Sequence, residues 1–310
     1  MDYVLLAVGL VLLGAGAEGL VRGGVGLARL LGVSPLMAGL TVVAWGTSAP
    51  ELVVSVEAAL TNHPGIAVCN VVGSNTFNIL LILGLTALIA PLRVKPLSLA
   101  RDGAFAVLAA ALLAYFAFAR GVIGSEQGAA FLLVLLIMVG VTYVQERRGA
   151  KAEPATGPAM SWPRALFFTF AGLGILLYGA HLLLEGAIAV ARSWGVSETV
   201  IGLTLVAGGT SLPELAASAA AAVRRHPEIA LGNVIGSNIY NILAILGTAA
   251  LITPIPIPDQ VLLVDLWVML AATGALIVPI LLFRGIPRAF GALYLAGYCG
   301  YVWWLFFAAT

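Results

Sequence analysis

The sequence predicts an all-α integral membrane protein, ten transmembrane helices arranged as two inverted five-helix repeats. Three observations carry that expectation. Of 310 residues, 61% are hydrophobic and only 9% charged, against about 25% charged in an ordinary soluble domain. Ten apolar runs are long enough to cross ~30 Å of hydrocarbon; they lie near 3–31, 35–60, 66–90, 101–119, 126–145, 163–193, 198–223, 228–252, 259–283 and 288–309. Residues 39–84 align without a gap with 202–247 at a constant offset of 163, with 29 of 46 positions identical.

The first run, followed by Ala15-Gly16-Ala17, has the look of a signal-peptide core. No Lys or Arg precedes it, however, and the helical pattern continues to Leu31, so it reads as a retained first span. Spans 2 and 3 hold the first copy of the internal repeat, and spans 7 and 8 the second. Between spans 5 and 6 lies the one long polar stretch, with Glu146, Arg147, Arg148, Lys151, Glu153, Pro154 and Pro158. The chain therefore divides into a first half (1–145), a linker (146–162) and a second half (163–310). Five spans per half is an odd number, so the second copy enters the membrane upside down. Inverted repeats are the architecture of many secondary transporters, with the substrate site near the midplane where the repeats meet.

Lys and Arg give the orientation. With the N-terminus outside, 12 of the 15 basic residues fall on the cytoplasmic side. Both termini then face outward and the linker is cytoplasmic, in the cell membrane. A net charge of +1 with scattered basic residues gives no stripe for nucleic acid. No obligate protein partner is evident; the lipid bilayer is the expected surrounding. Cys69 and Cys299 lie in apolar segments and read as small buried hydrophobes, with neither disulfide nor metal-ligand spacing.

Two blocks within the repeat carry chemistry. Gly46-Thr47-Ser48-Ala49-Pro50-Glu51 recurs as Gly209-Thr210-Ser211-Leu212-Pro213-Glu214. Gly73-Ser74-Asn75-Thr76-Phe77-Asn78 recurs as Gly236-Ser237-Asn238-Ile239-Tyr240-Asn241. Pro50 and Pro213 lack an N–H and release main-chain carbonyls inside a span, which is tolerated at membrane depth only where the helix lines a protected cavity. A carboxylate follows each proline. An unpaired Glu there costs several kcal/mol, and no Lys or Arg lies at comparable depth in spans 2, 3, 7 or 8. A bound cation or a proton must supply the missing charge.

Ser74 and Asn78, and likewise Ser237 and Asn241, are spaced i, i+4 and share a helix face. Every donor in the two blocks is oxygen, with neither His nor Cys among them, which suits hard cations such as Ca²⁺ and Na⁺ rather than Zn²⁺ or Cu⁺. The plainer reading is a kinked helix with Ser, Thr and Asn as interhelical glue. It competes for Thr47, Asn75, Thr210 and Asn238, but does not account for Glu51 and Glu214. Elsewhere, Glu18 with Arg22 and His181 with Glu185 read as intrahelical pairs. Glu57 points away from Glu51 and carries no site role. Asp102 and Asp265 read as interfacial acids, and His63-Pro64 and His226-Pro227 as turns. Trp303 and Trp304 with Tyr298 and Tyr301 read as an interfacial belt.

In these blocks, present in two inverted copies, the chain resembles the cation/Ca²⁺ exchanger superfamily, and most of all its prokaryotic sodium/calcium exchangers. The resemblance extends over nearly all ten spans. It implies one Ca²⁺ site with Na⁺ sites around it, these ions being substrates, and neither cofactor nor enzymatic activity. Glu51 and Glu214 would be shared bidentate ligands, and the carbonyls of Thr47 and Thr210 would complete the Ca²⁺ site. Ala44, Ser48 and Ser74 would line one flanking Na⁺ site, and Ala207, Ser211 and Ser237 the other. Asn78 and Asn241 would close the middle, and spans 1 and 6 would slide to alternate access.

One departure from the family pattern matters. Some relatives, including potassium-dependent ones, carry Asp at the position of Asn241, and the proton/calcium branch tends to carry an acid in these motifs. Here both central positions are Asn, so the site has two formal negative charges. The expected function is electrogenic antiport of about three Na⁺ for one Ca²⁺, without potassium, by alternating access. The runner-up is a proton/calcium antiporter or one for another divalent ion. A channel fits less well, since a two-carboxylate trap favours occupancy over fast exit. An intramembrane serine protease lacks a His near Ser48 or Ser211.

Overall fold

The computed structural model describes residues 2–93, 96–149, 160–195 and 207–308. The first half runs α1 (Asp2–Leu31), α2 (Pro35–Thr47), α3 (Ala49–Leu60), α4 (Gly65–Ile89), β1 (Leu92–Arg93), α5 (Pro96–Arg120), β2 (Val122–Ile123) and α6 (Ser125–Gly149). The second runs α7 (Trp162–Ser193), a helical turn Ala207–Gly209, α8 (Leu212–Val223), α9 (Pro227–Ile252), β3 (Ile255–Pro256), α10 (Val261–Phe283), β4 (Gly285–Ile286) and α11 (Arg288–Ala308). Lys95, Lys151 and most of the expected linker, and residues 202–206 of the second repeat, lie outside the described residues. The helix α6 stays helical through Gly149, so residues 146–149 of the expected linker continue it.

Among the described residues, seven helices are long and apolar enough to cross a membrane, and the bent pair α2–α3 makes an eighth span. Side chains such as Val53, Leu136, Phe170 and Leu281 are each more than 60% exposed, the outward apolar surface that lipid requires. The centre is built from α9 and α4, whose apolar windows are 83% and 67% buried, while α1 and α7 lie at the edge. Cys69 and Cys299 are exposed rather than buried. In a bilayer a small apolar side chain loses nothing by facing outward, so the expectation of burial does not transfer from soluble proteins.

The bend between α2 and α3 is 46° and its cause is local. Ser48 leaves the helical region at ψ 9°, and Pro50, in the first turn of α3, has no N–H to return to Gly46. The same turn recurs at Ser211 and Pro213 before α8. In α4 and α9 the ladder widens into π-helical turns over Asn78–Leu83 and Asn241–Leu246, each beginning at the second-block asparagine. Such turns are rare and concentrate at functional positions.

A glycine seam joins α1 to α7. A Cβ on Gly9, Gly16 or Gly23 would sit 2.4, 2.2 or 2.4 Å from the backbone nitrogen of Leu183, Leu176 or Thr169. Reciprocally, Gly172, Gly179 and Gly186 abut the nitrogens of Leu20, Leu13 and Leu6 at 2.4, 2.4 and 2.8 Å. Partner numbers fall as those of α1 rise, so the helices are antiparallel, and glycine every seventh residue lets the two backbones touch. At 30 and 32 residues they span roughly 45 and 48 Å at 1.5 Å per residue, longer than a ~30 Å hydrocarbon core.

Two short antiparallel ties then cross between the halves: Leu92 pairs with Ile286, and Ile123 with Ile255. Glu18 pairs with Arg22 as expected, but also with Arg224 at 2.6 Å, fastening α1 to the turn after α8. His181 and Glu185 stand 3.8 Å apart and exposed.

The seam makes a stability prediction. Gly16→Val forces an overpacked contact costing about 1–3 kcal/mol or more, read as a lower thermal unfolding midpoint in detergent. Gly14→Val, on a face with nothing within 4 Å, leaves the midpoint near that of the parent; equal effects from the two would contradict the seam.

Candidate cation-binding site

The broken helices bring Glu51 and Glu214 into the protein centre, where both are 0% exposed. Each sits in the first turn after its proline, on α3 or α8. Each carboxylate is held by a serine of the other half. Ser211 Oγ donates to Glu51 Oε1 at 3.0 Å, and Ser48 Oγ donates to Glu214 Oε1 at 2.9 Å. Ser237 Oγ adds a longer contact of 3.5 Å to Glu214 Oε1. Among the described residues neither carboxylate has a Lys, Arg or His partner.

The asparagines of α4 and α9 form a crossed square. Asn75 Nδ2 donates to the carbonyl of Asn238 at 3.1 Å, and Asn238 Nδ2 returns a bond to the carbonyl of Asn75 at 3.3 Å. Asn78 Nδ2 then donates to Asn238 Oδ1, and Asn241 Nδ2 to Asn75 Oδ1, both at 3.0 Å. Asn75 and Asn238 are thus the interhelical glue of the plainer reading. Their amides also orient Asn78 and Asn241: with both amino groups engaged, the Oδ1 atoms are left as acceptors.

The polar accounting comes out one-sided. Glu51 Oε2, Glu214 Oε2, Asn78 Oδ1 and Asn241 Oδ1 are all buried without a hydrogen-bond donor. Buried oxygens with no partner cost roughly 1–3 kcal/mol each, and charged ones more. Four acceptors sharing one deficit, with carboxylate and amide oxygen as the chemistry, fit a hard cation. Among the described residues there is no cluster of three or more His, Cys, Asp and Glu that would hold a softer metal.

Of the flanking residues, Ser48, Ser74, Ser211 and Ser237 are all buried. The Ala44 carbonyl accepts from Ser48 N–H at 3.0 Å, and Thr47 Oγ1 lies 3.3 Å from it. Thr47 Oγ1 also reaches Asn233 Oδ1 at 3.0 Å, whereas Thr210 Oγ1 is buried with no hydrogen-bond partner. Ala207 opens the helical turn before Thr210. Glu57 is exposed, away from the site. Asp102 pairs with Arg101 at 2.7 Å, and Asp265 accepts from Tyr301 at 2.9 Å.

Sequence reasoning missed four side chains. Asn70 Nδ2 donates to the carbonyl of Glu51 and to Ser55 Oγ; Asn233 Nδ2 does the same for Glu214 and Ser218. The available signal was their identity in both copies at the 163-residue offset.

The sodium/calcium exchanger protein family matches residues 1–144 and 164–307. A protein of Alkalimonas amylolytica named CaxA is 38% identical over 98% of each chain. The sodium/calcium exchanger MaX1 of Methanosarcina acetivorans is 33% identical over 99% of each. Structures of the sodium-calcium exchanger NCX_Mj superpose with a TM-score of 0.87 over 98% of both chains at 33% identity. The chain belongs to the sodium/calcium exchanger family, a family of multi-pass membrane exchangers and not of enzymes.

If a cation fills the unpaired acceptors, it must stabilise the fold. The thermal midpoint in chelator and Na⁺-free buffer is expected to rise on adding Ca²⁺, by an amount equivalent to about 2.7 kcal/mol at 100-fold excess over Kd. Ser48→Ala and Ser211→Ala, each removing one carboxylate donor, are expected to shrink that rise. A midpoint indifferent to Ca²⁺ and Na⁺ would speak against the site.

Proposed function

We propose that this member of the sodium/calcium exchanger family is a secondary active antiporter, exchanging about three Na⁺ for one Ca²⁺ across the cell membrane by alternating access. The observation that carries the reading is the set of four donorless oxygens on Glu51, Glu214, Asn78 and Asn241. Two carboxylates and two neutral amides give the pocket a charge of −2. One Ca²⁺ neutralises it, and so do two Na⁺; a third Na⁺ leaves +1, so each cycle moves net charge. Asn cannot titrate, so the middle of the site offers neither a proton carrier nor an extra charge for K⁺.

In this reading Glu51 and Glu214 chelate Ca²⁺ together with the Thr47 and Thr210 carbonyls. Ser48, Ser74 and Ala44 form one Na⁺ flank, and Ser211, Ser237 and Ala207 the other. Because the Ala44 carbonyl already accepts from Ser48 N–H, Na⁺ there would share it with that donor.

The same reading takes the fold as ten transmembrane helices in two inverted five-helix halves, 1–145 and 163–310, joined by the 146–162 linker. The antiparallel packing of α1 on α7, whose seam glycines are related by the repeat offset, supports the inversion. The Lys and Arg bias supports outward termini and a cytoplasmic linker. The glycine seam also supports α1 and α7 moving as one unit over the remainder, after the Glu18–Arg224 pair opens.

The test is ⁴⁵Ca²⁺ flux in proteoliposomes. Uptake into Na⁺-loaded vesicles is expected without K⁺, and an inside-positive potential is expected to speed it, because each cycle exports net positive charge. Uptake indifferent to potential would contradict the stoichiometry. A K⁺ requirement would contradict the role given to Asn241, and uptake driven by a pH step without Na⁺ would favour a proton antiporter.

A further inference from the structure

Four side chains identical in the two copies have no part in the site so far: Ser55 and Asn70 in the first half, Ser218 and Asn233 in the second. Asn70 Nδ2 lies 3.2 Å from the Glu51 carbonyl and 3.0 Å from Ser55 Oγ. Asn233 Nδ2 lies 3.2 Å from the Glu214 carbonyl and 2.9 Å from Ser218 Oγ. Ser55, Ser218 and Asn233 are 0% exposed. Both amides come from the helix that carries the second block, four residues before Ser74 or Ser237, so each ties the broken helix to its neighbour in the same half.

The bonded carbonyl is that of the glutamate itself. The carboxylate end of that glutamate is held by a serine of the opposite half. Each glutamate is therefore fixed at two points, its backbone within its own half and its side chain across the halves. We infer that Asn70 and Asn233 are positioning residues for the exchanged ions. They touch no ion, but set where the two carboxylates stand, with Ser55 and Ser218 holding the amides in orientation. The inference rests on Glu51 and Glu214 being ion ligands.

The two asparagines are not equivalent in this conformation. Asn233 Oδ1 also accepts from Thr47 Oγ1 at 3.0 Å, so it anchors the chain just before the break in the other half. The matching hydroxyl, Thr210 Oγ1, has no hydrogen-bond partner. Asn233 thus positions both broken helices and Asn70 only one. Interhelical glue of equal worth would predict equal effects from the two.

Two measurements on the full-length protein test this. In Na⁺-driven ⁴⁵Ca²⁺ flux, Asn233→Ala is expected to raise the KM for Ca²⁺ by about tenfold or more, the usual cost of losing an outer-shell partner of a metal ligand. Asn70→Ala is expected to raise it less, with the maximal rate per folded protein changing less than the KM in both. In hydrogen–deuterium exchange, Asn233→Ala is expected to speed exchange in peptides covering 44–52 and 211–219, and Asn70→Ala only in 48–56. An unchanged KM, or faster exchange spread evenly over the protein, would overturn the inference.

If an Asn→Ala variant does not fold, Ser218→Ala and Ser55→Ala carry the same test with smaller shifts in the same direction; unchanged KM and exchange in both would overturn it. Should the parent protein fail to carry Ca²⁺ against Na⁺, the exchanger reading fails, while the exchange pattern still decides whether the asparagines position the glutamates.

Discussion

Two carboxylates buried to zero exposure, with no basic side chain to meet them among the described residues, set the terms for the rest of this molecule. Removing a carboxylate from water costs several kcal/mol even after relaxation. One charge-assisted hydrogen bond returns about 1.5–3. Glu51 and Glu214 each keep a serine bond on Oε1 and nothing on Oε2. Among the described residues no side chain closes that gap. A bound cation is the chemistry that would close it.

The surrounding structure serves to keep the gap open in a fixed shape. Pro50 and Pro213 break two helices so that a glutamate can stand in the first turn beyond each break. Asn75 and Asn238 take up the amino groups of Asn78 and Asn241, so that amide oxygen rather than nitrogen is left for an ion. Asn70 and Asn233 hold the glutamate backbones. Around this centre the glycine seam and the two short strand ties bind one half to the other. The symmetry is not complete, since Thr47 is tethered to Asn233 while Thr210 is free of any such bond. Glu18 likewise meets Arg224, whereas their repeat counterparts, His181 and Thr61, cannot form an equivalent ion pair.

Much of this was legible from the residues because membrane chemistry leaves few options. A glutamate after a proline in an apolar span, repeated at one offset, marks a candidate site, and the all-oxygen donor set follows from the two blocks. The serines crossing between halves were named as site residues, but their partners were not; no sequence rule says that Ser48 serves Glu214 rather than Glu51. The Asn70 and Asn233 clips were visible as identities and passed over, since Asn in a span also reads as glue. The π-helical turns after Asn78 and Asn241 leave no compositional trace. Neither do the strand ties, at two residues each. The glycine seam has a seven-residue period that is plain once known, yet 36 glycines in the chain conceal it. Cys69 and Cys299 are exposed against expectation, because burial statistics from water-soluble proteins do not hold where the solvent is lipid.

The central claim is that Glu51 and Glu214 form one cation site whose formal charge is set by neutral Asn78 and Asn241. Calorimetric titration of Ca²⁺ into the purified protein in Na⁺-free detergent buffer tests it most directly, with Glu51→Gln and Glu214→Gln alongside. The expected result is a single saturable Ca²⁺ site in the parent, weakened by about 100-fold or more in each variant, in line with the roughly 3–5 kcal/mol lost when one partner of a buried charge pair is removed. Calcium binding that is unchanged in both variants would contradict the account.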